Sequence, residues 1–160
     1  MKIFIKSLLI FFIISNVSKA DLIRPEPTLK PFDVLLIQLN SLKNNDSPYS
    51  DAGIEQVWEF AHPNNKIMTG PLNKFKQMIY SENYEILINH ENSEIKLLKE
   101  TDSTSVYKVY ILSKYKKKYY YIWQIEKVMF DVDLKNCWMT TSVSGPIYIC
   151  LLYTSDAADE

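Results

Sequence analysis

At Tyr84 the chain changes its hydrophobic period, and that change confines it to one broad architecture. Up to that point apolar residues recur every three to four positions, the spacing of a helix face; beyond it, β-branched and aromatic residues alternate with polar ones, the spacing of a strand. Helices first and strands after, with short turns between the strands, predict an α+β fold. The helices then cover one face of an antiparallel sheet, because both layers have an apolar side to bury.

Three helices are expected. The first runs from Pro31, a residue suited to an initial turn, and carries Leu35, Leu39 and Leu42 with Val34 beside them; it stops at Asn44, Asn45 and Asp46. The second spans about Asp51 to His62 with Ile54, Val57, Trp58 and Ala61 on one face, Ser50 or Asp51 as cap and Pro63 as terminator. The third starts near Pro71, capped by Thr69 or Gly70, and presents Leu72, Phe75, Met78 and Ile79. Trp58 and Phe75 are expected in the core. The segments YEILIN, EIKLLKE, TSVYKVYILS, KYYYIWQIEKVMF and CWMTTSV then read as a curved sheet of four to five antiparallel strands, with HENS, TDS and YKKK as turns, DLKN as a turn before the last strand, and Ile147 to Ile149 as an extension of it.

The ends read differently. Residues 1–20 combine Lys2 and Lys6, an apolar run from Ser7 to Ile14 and a small-residue finish at Ser18 and Ala20, the pattern of a secretory signal cleaved after Ala20. The run is shorter than the ~20 residues of a bilayer-spanning helix, so no stable membrane anchor is expected. Residues 21–30 contain two prolines and no periodicity and are read as a flexible tether, and residues 31–149 as a single domain. The ending CLLYTSDAADE, residues 150–160, is similar to a translated frame of a transposase-based sequencing adapter and is expected to be foreign and disordered. Setting aside both ends removes three charges of each sign, so the net charge stays at −1. That balance gives no general attraction to nucleic acid or anionic membrane. With Cys150 set aside, Cys137 stands alone, a small buried hydrophobe on a strand.

Spaced motifs run from about Pro31 to Val143. Gln38, Leu39, Leu42, Asn45 and Asp46 form Q-L-x-x-L-x-x-N-D; Phe60, Ala61 and Pro63 form F-A-x-P; Thr69, Gly70, Pro71, Phe75 and Met78 form T-G-P-x-x-x-F-x-x-M. Tyr84, then Trp123 with Lys127, and Cys137 to Thr140 complete the set. In this combination the chain resembles the domain of unknown function 4864 family. The resemblance implies a cone similar to the nuclear-transport-factor-2-like and cystatin-like group, and it implies no activity. His62 is a departure, standing where related chains often have Ser.

Few residues point to chemistry. The loop expected between the second and third helices gathers His62, Asn64, Asn65, Lys66, Thr69 and Gly70, a candidate binding loop whose members also have turn and cap roles. Alternation on the central strand places Tyr119, Tyr121, Trp123 and Ile125 on one face and Tyr120, Ile122, Gln124 and Glu126 on the other. Were the second set to face the helices, Glu126 would enter the cone with a raised pKa, as proton transfer needs; the bulkier aromatic set favours a plain core. Glu59 is a second candidate acid. His62 and His90, the only histidines, lie in different elements without metal-ligand spacing, so no metal site and no cofactor are expected. YKKKYYY mixes cations and rings as single-strand binders do, but a solvated hairpin turn accounts for it, and no nucleic-acid partner is expected. Asn45, Asp46 and Ser47 match a glycosylation acceptor pattern.

The function expected from these residues is that of an exported, non-catalytic module binding a small apolar ligand or a protein partner. The alternative is a small cofactor-free enzyme of the ketosteroid-isomerase or SnoaL-like type, using a pocket carboxylate such as Glu126 or Glu59. A homodimer formed through the sheet is a further possibility.

Overall fold

A computed structural model describes residues 21–149; residues 1–20 and 150–160, read above as a secretory signal and an adapter-derived ending, lie outside the described residues. Among the described residues the fold is α+β, with four helices rather than three: α1 (Pro31–Lys43), α2 (Ala52–Glu59), α3 (Pro63–Thr69) and α4 (Leu72–Ile79), followed by a 3-10 turn at Glu85–Leu87. Five strands follow: β1 (Asn92–Glu100), β2 (Thr104–Leu112), β3 (Lys118–Lys127), β4 (Trp138–Val143) and β5 (Ile147–Tyr148). They form a curved, unclosed antiparallel sheet in the order β1-β2-β3-β4. β5 pairs with the start of β3, Tyr119 opposite Tyr148, while β4 pairs with its end.

The extra helix has a clear cause. Instead of continuing α2 to His62, the backbone leaves the helix at Phe60 and runs parallel to β4: Thr140 N–H donates to Phe60 O at 2.8 Å, and His62 N–H donates to Thr140 O at 2.9 Å. Pro63 then opens a new helix, where its missing N–H is harmless. His62 caps that helix through Nδ1, which accepts from Asn64 N–H at 3.2 Å. Asp51 takes the expected N-cap position of α2, whereas Pro71 rather than Thr69 or Gly70 takes that of α4. Asp51 precedes α2 in a left-handed conformation, φ 66°, and its carboxylate binds Lys76 and Tyr80 rather than capping. Pro71 precedes α4, while Thr69 Oγ1 donates back to Asn65 O at 2.8 Å.

YEILIN is not a strand. Leu87 and Ile88 are adjacent and both buried, which alternation forbids, and the 3-10 turn satisfies both. The segment read as a tether also makes a specific contact: Ile23 N–H donates to Gln56 Oε1 at 2.8 Å and Gln56 Nε2 donates to Ile23 O at 2.7 Å.

The core lies between the helices and the concave sheet face. Val34, Leu35, Leu39 and Leu42 from α1 meet Ile54, Val57, Phe75 and the inward row Tyr121, Trp123 and Ile125 of β3. Gln124 and Glu126 point to the other face and bond to each other at 2.6 Å. Phe75 is buried; Trp58, expected beside it in the core, is only half-buried, with the two ring centres 5.0 Å apart. α1 and α2 approach closely at Gly53, where a Cβ would lie 2.1 Å from Ser41 O. Asn45 is fully buried, its Oδ1 accepting Ile54 N–H at 3.1 Å, so the glycosylation pattern falls on an inaccessible side chain. Cys137 is a free, buried thiol packed with Val128 and Met139. Lys116 occupies a left-handed turn between β2 and β3 and pairs with Glu91.

Candidate functional site

A chamber of about 200 Å³ lies between α1, the shorter helices and β4. Its floor is apolar and buried: Leu42, Val57, Phe75, Ile79, Leu87 and Trp123. Its mouth is half-buried or exposed, formed by Asn65 and Thr69 of α3, Met78 of α4, Tyr84, and Thr141 to Val143 of β4. The mouth exists because α2 breaks early. Its break lets α3 stand over the end of β4, and the backbone pairing at Thr140 holds it there.

Polar groups in the wall form a linear relay. Trp123 Nε1 donates to Thr140 Oγ1 at 3.0 Å, Thr140 Oγ1 donates to Gln38 Oε1 at 2.9 Å, and Gln38 Nε2 donates to Val34 O at 3.2 Å. Gln38 is fully buried and Thr140 nearly so, and the relay pairs the groups that would otherwise be costly there. Tyr84 OH donates to Val143 O at 3.0 Å, tying the helical half to β4 at the mouth. Tyr84 is the one ionisable side chain in the described lining.

The residues singled out from the sequence separate into groups. Asn65 lines the chamber. His62, Asn64 and Glu126 instead share an outer cleft of about 350 Å³ with Val128, Met129 and Phe130. There burial lowers the His62 pKa, and the nearby Glu126 charge works against that shift. Gln124 sits on the outer sheet face, held by its bond to Glu126. Glu59 lines neither cavity; its carbonyl accepts from Lys66 Nζ at 3.3 Å. Lys66 lies over the Trp58 ring at 5.5 Å, and burial lowers its pKa against the opposing pull of Glu59. Among the described residues no three His, Cys, Asp or Glu side chains gather as metal ligands. No described helix is long and apolar enough to cross a membrane.

Gln38 and Thr140 were not singled out as site residues, although a signal for one existed. Gln38 interrupts an otherwise apolar stripe four residues from both Val34 and Leu42, and a polar residue at such a position needs a buried partner. Thr140 gives no such sign, because the partner lies 102 residues away in the chain.

No family model matches the chain, and neither a curated protein nor a solved structure matches it.

Proposed function

We propose that the protein is a non-catalytic binding module that takes a small apolar molecule into the chamber between its helices and β4. One observation carries this reading: the described lining contains no carboxylate, imidazole, thiol, ammonium or guanidinium, and its single ionisable group, the Tyr84 hydroxyl, is engaged with Val143 O. An apolar wall with a few placed polar groups is suited to holding a ligand, whereas proton transfer requires a titratable group within reach of the substrate. Size argues in the same direction. An apolar cavity of roughly 150 Å³ holds a benzene ring. The present chamber therefore has room for a ring with one or two added atoms.

The enzyme alternative would have to operate outside this chamber, since neither Glu126 nor Glu59 lines it. The kinship with the domain of unknown function 4864 family, the cone-type fold and export through residues 1–20 belong to the same proposal. They rest on the quoted motifs, on the order of helices and strands, and on the leader pattern. Native mass spectrometry of the purified protein tests the reading, with NMR shifts to locate any guest. A retained small neutral molecule that perturbs Val57, Leu87 and Thr140 is expected. A guest that perturbs only the His62 and Glu126 cleft would overturn the assignment, and a dimer with an empty chamber would favour the protein-partner reading.

A further inference from the structure

The polar surface of the chamber is unevenly committed. Thr140 and Gln38 pair with each other, Thr69 with Asn65 O, Tyr84 with Val143 O, and Thr141 Oγ1 with Gln124 O at 3.4 Å. Asn65 and Ser142 are the exceptions: the exposed Ser142 hydroxyl takes no partner among the described residues, and Asn65 offers both a donor and an acceptor. Asn65 stands half-buried at the mouth, where Nδ2 makes a single long contact of 3.5 Å to Thr140 O, and Oδ1 takes no partner among the described residues.

Resting on the reading of this chamber as a ligand site, we propose that it selects small neutral molecules bearing one hydroxyl or carbonyl, and that Asn65 is the residue that reads that group. A primary amide presents both a donor and an acceptor, so it answers either group equally well. It does not neutralise a charge. No charged side chain lines the chamber, so a carboxylate or ammonium drawn in would lose part of its hydration at the half-buried mouth without gaining a counter-ion. A neutral alcohol loses only a hydrogen bond to water and recovers one from the amide. The apolar floor takes the rest of the molecule, with the polar end left at the mouth beside Asn65.

Four probes of nearly equal size test the proposal on the purified protein at neutral pH: toluene, benzyl alcohol, benzoate and benzylamine, followed by ligand-observed NMR and calorimetry. Toluene and benzyl alcohol should bind, while benzoate and benzylamine should bind about 100-fold more weakly than the alcohol or not detectably. In Asn65→Leu, benzyl alcohol should weaken about 10-fold with toluene unchanged or tighter. Asn65→Asp, nearly the same shape, should admit benzylamine. Charged probes binding as tightly as the alcohol, or an Asn65→Leu protein that keeps its affinity for the alcohol, would overturn selection by Asn65 while leaving the chamber a ligand site. Failure of all four probes, toluene included, would overturn the ligand-site reading itself and this inference with it.

Discussion

Thr140 Oγ1 donates to Gln38 Oε1 at 2.9 Å, joining the last long strand to the middle of the first helix across 102 residues of sequence. Both side chains are buried, and each has a further role: Thr140 accepts from Trp123 Nε1, and Gln38 donates to Val34 O. Removing one partner strands the other. Thr140→Val should therefore destabilise the fold by about 1 to 3 kcal/mol, and Gln38→Leu by a similar amount, in urea unfolding. The double variant should cost less than the sum of the two, and strict additivity would show that the pair is not coupled.

Gly53 is the contact point of α1 and α2. An added methyl would meet Ser41 O at 2.1 Å and Asn45 Cα at 2.8 Å, both backbone atoms that yield only if the helices separate. Gly53→Ala should lower stability by about 1 to 3 kcal/mol or more, against almost no steric effect for Gly145→Ala, whose Cβ meets nothing within 4 Å. Thermal unfolding of the two variants, compared directly, checks the difference.

Phe75 and Trp58 touch, yet they differ in burial. Phe75→Ala enlarges the chamber and should cost about 3 to 5 kcal/mol. Trp58 keeps one side open and is partly covered by the Lys66 ammonium, so Trp58→Ala should cost less. Equal losses in chemical denaturation would mean that Trp58 is as deeply packed as its neighbour.

Burial of His90 should make folding sensitive to pH. Its Nδ1 lies 2.8 Å from Leu87 O, its Nε2 is buried without a partner among the described residues, and burial lowers its pKa below the ordinary 6.5, with the Leu87 bond opposing the decrease and the Lys43 charge adding to it. The unfolded chain therefore binds the proton more readily than the fold does. The stability contribution is fully present above about pH 6.5 and is lost as pH falls from there toward the lowered folded pKa. His90→Gln should flatten stability over that window relative to wild type; an unchanged slope in urea midpoints against pH would assign the effect elsewhere, His62 being the next candidate.

Gln56 holds Ile23 by two bonds to one residue's main chain. Gln56→Ala should release the N-terminal segment and cost about 1 to 3 kcal/mol. Hydrogen exchange at the Ile23 amide reports it, with protection expected in the wild type and lost in the variant. An Ile23 amide that exchanges freely in both would restore the picture of a loose tether.

Local pattern determined what depends on neighbours in the chain. The stripe Val34, Leu35, Leu39 and Leu42 specified α1 and its inward face, because side chains three and four apart share one side of a helix. Alternation on β3 similarly specified that Tyr121, Trp123 and Ile125 lie on one side and Gln124 and Glu126 on the other, and the larger apolar area of the first set settled which side is buried. The break of α2 at Glu59 was not legible, since the helical pattern runs on through Ala61; only the backbone groups of Thr140, brought alongside by the sheet, offer Phe60 and His62 better partners than the helix does. For the same reason the chamber was not legible. Its walls come from α1, α2, α3, α4, β3 and β4, residues that no local period relates, and Asn65 rather than Glu126 stands at its mouth because the α2 break swings α3 over β4 while strand alternation turns Glu126 outward. Period fixes a face within an element, whereas the meeting of elements is decided by which buried hydrogen bonds and apolar surfaces satisfy one another in three dimensions.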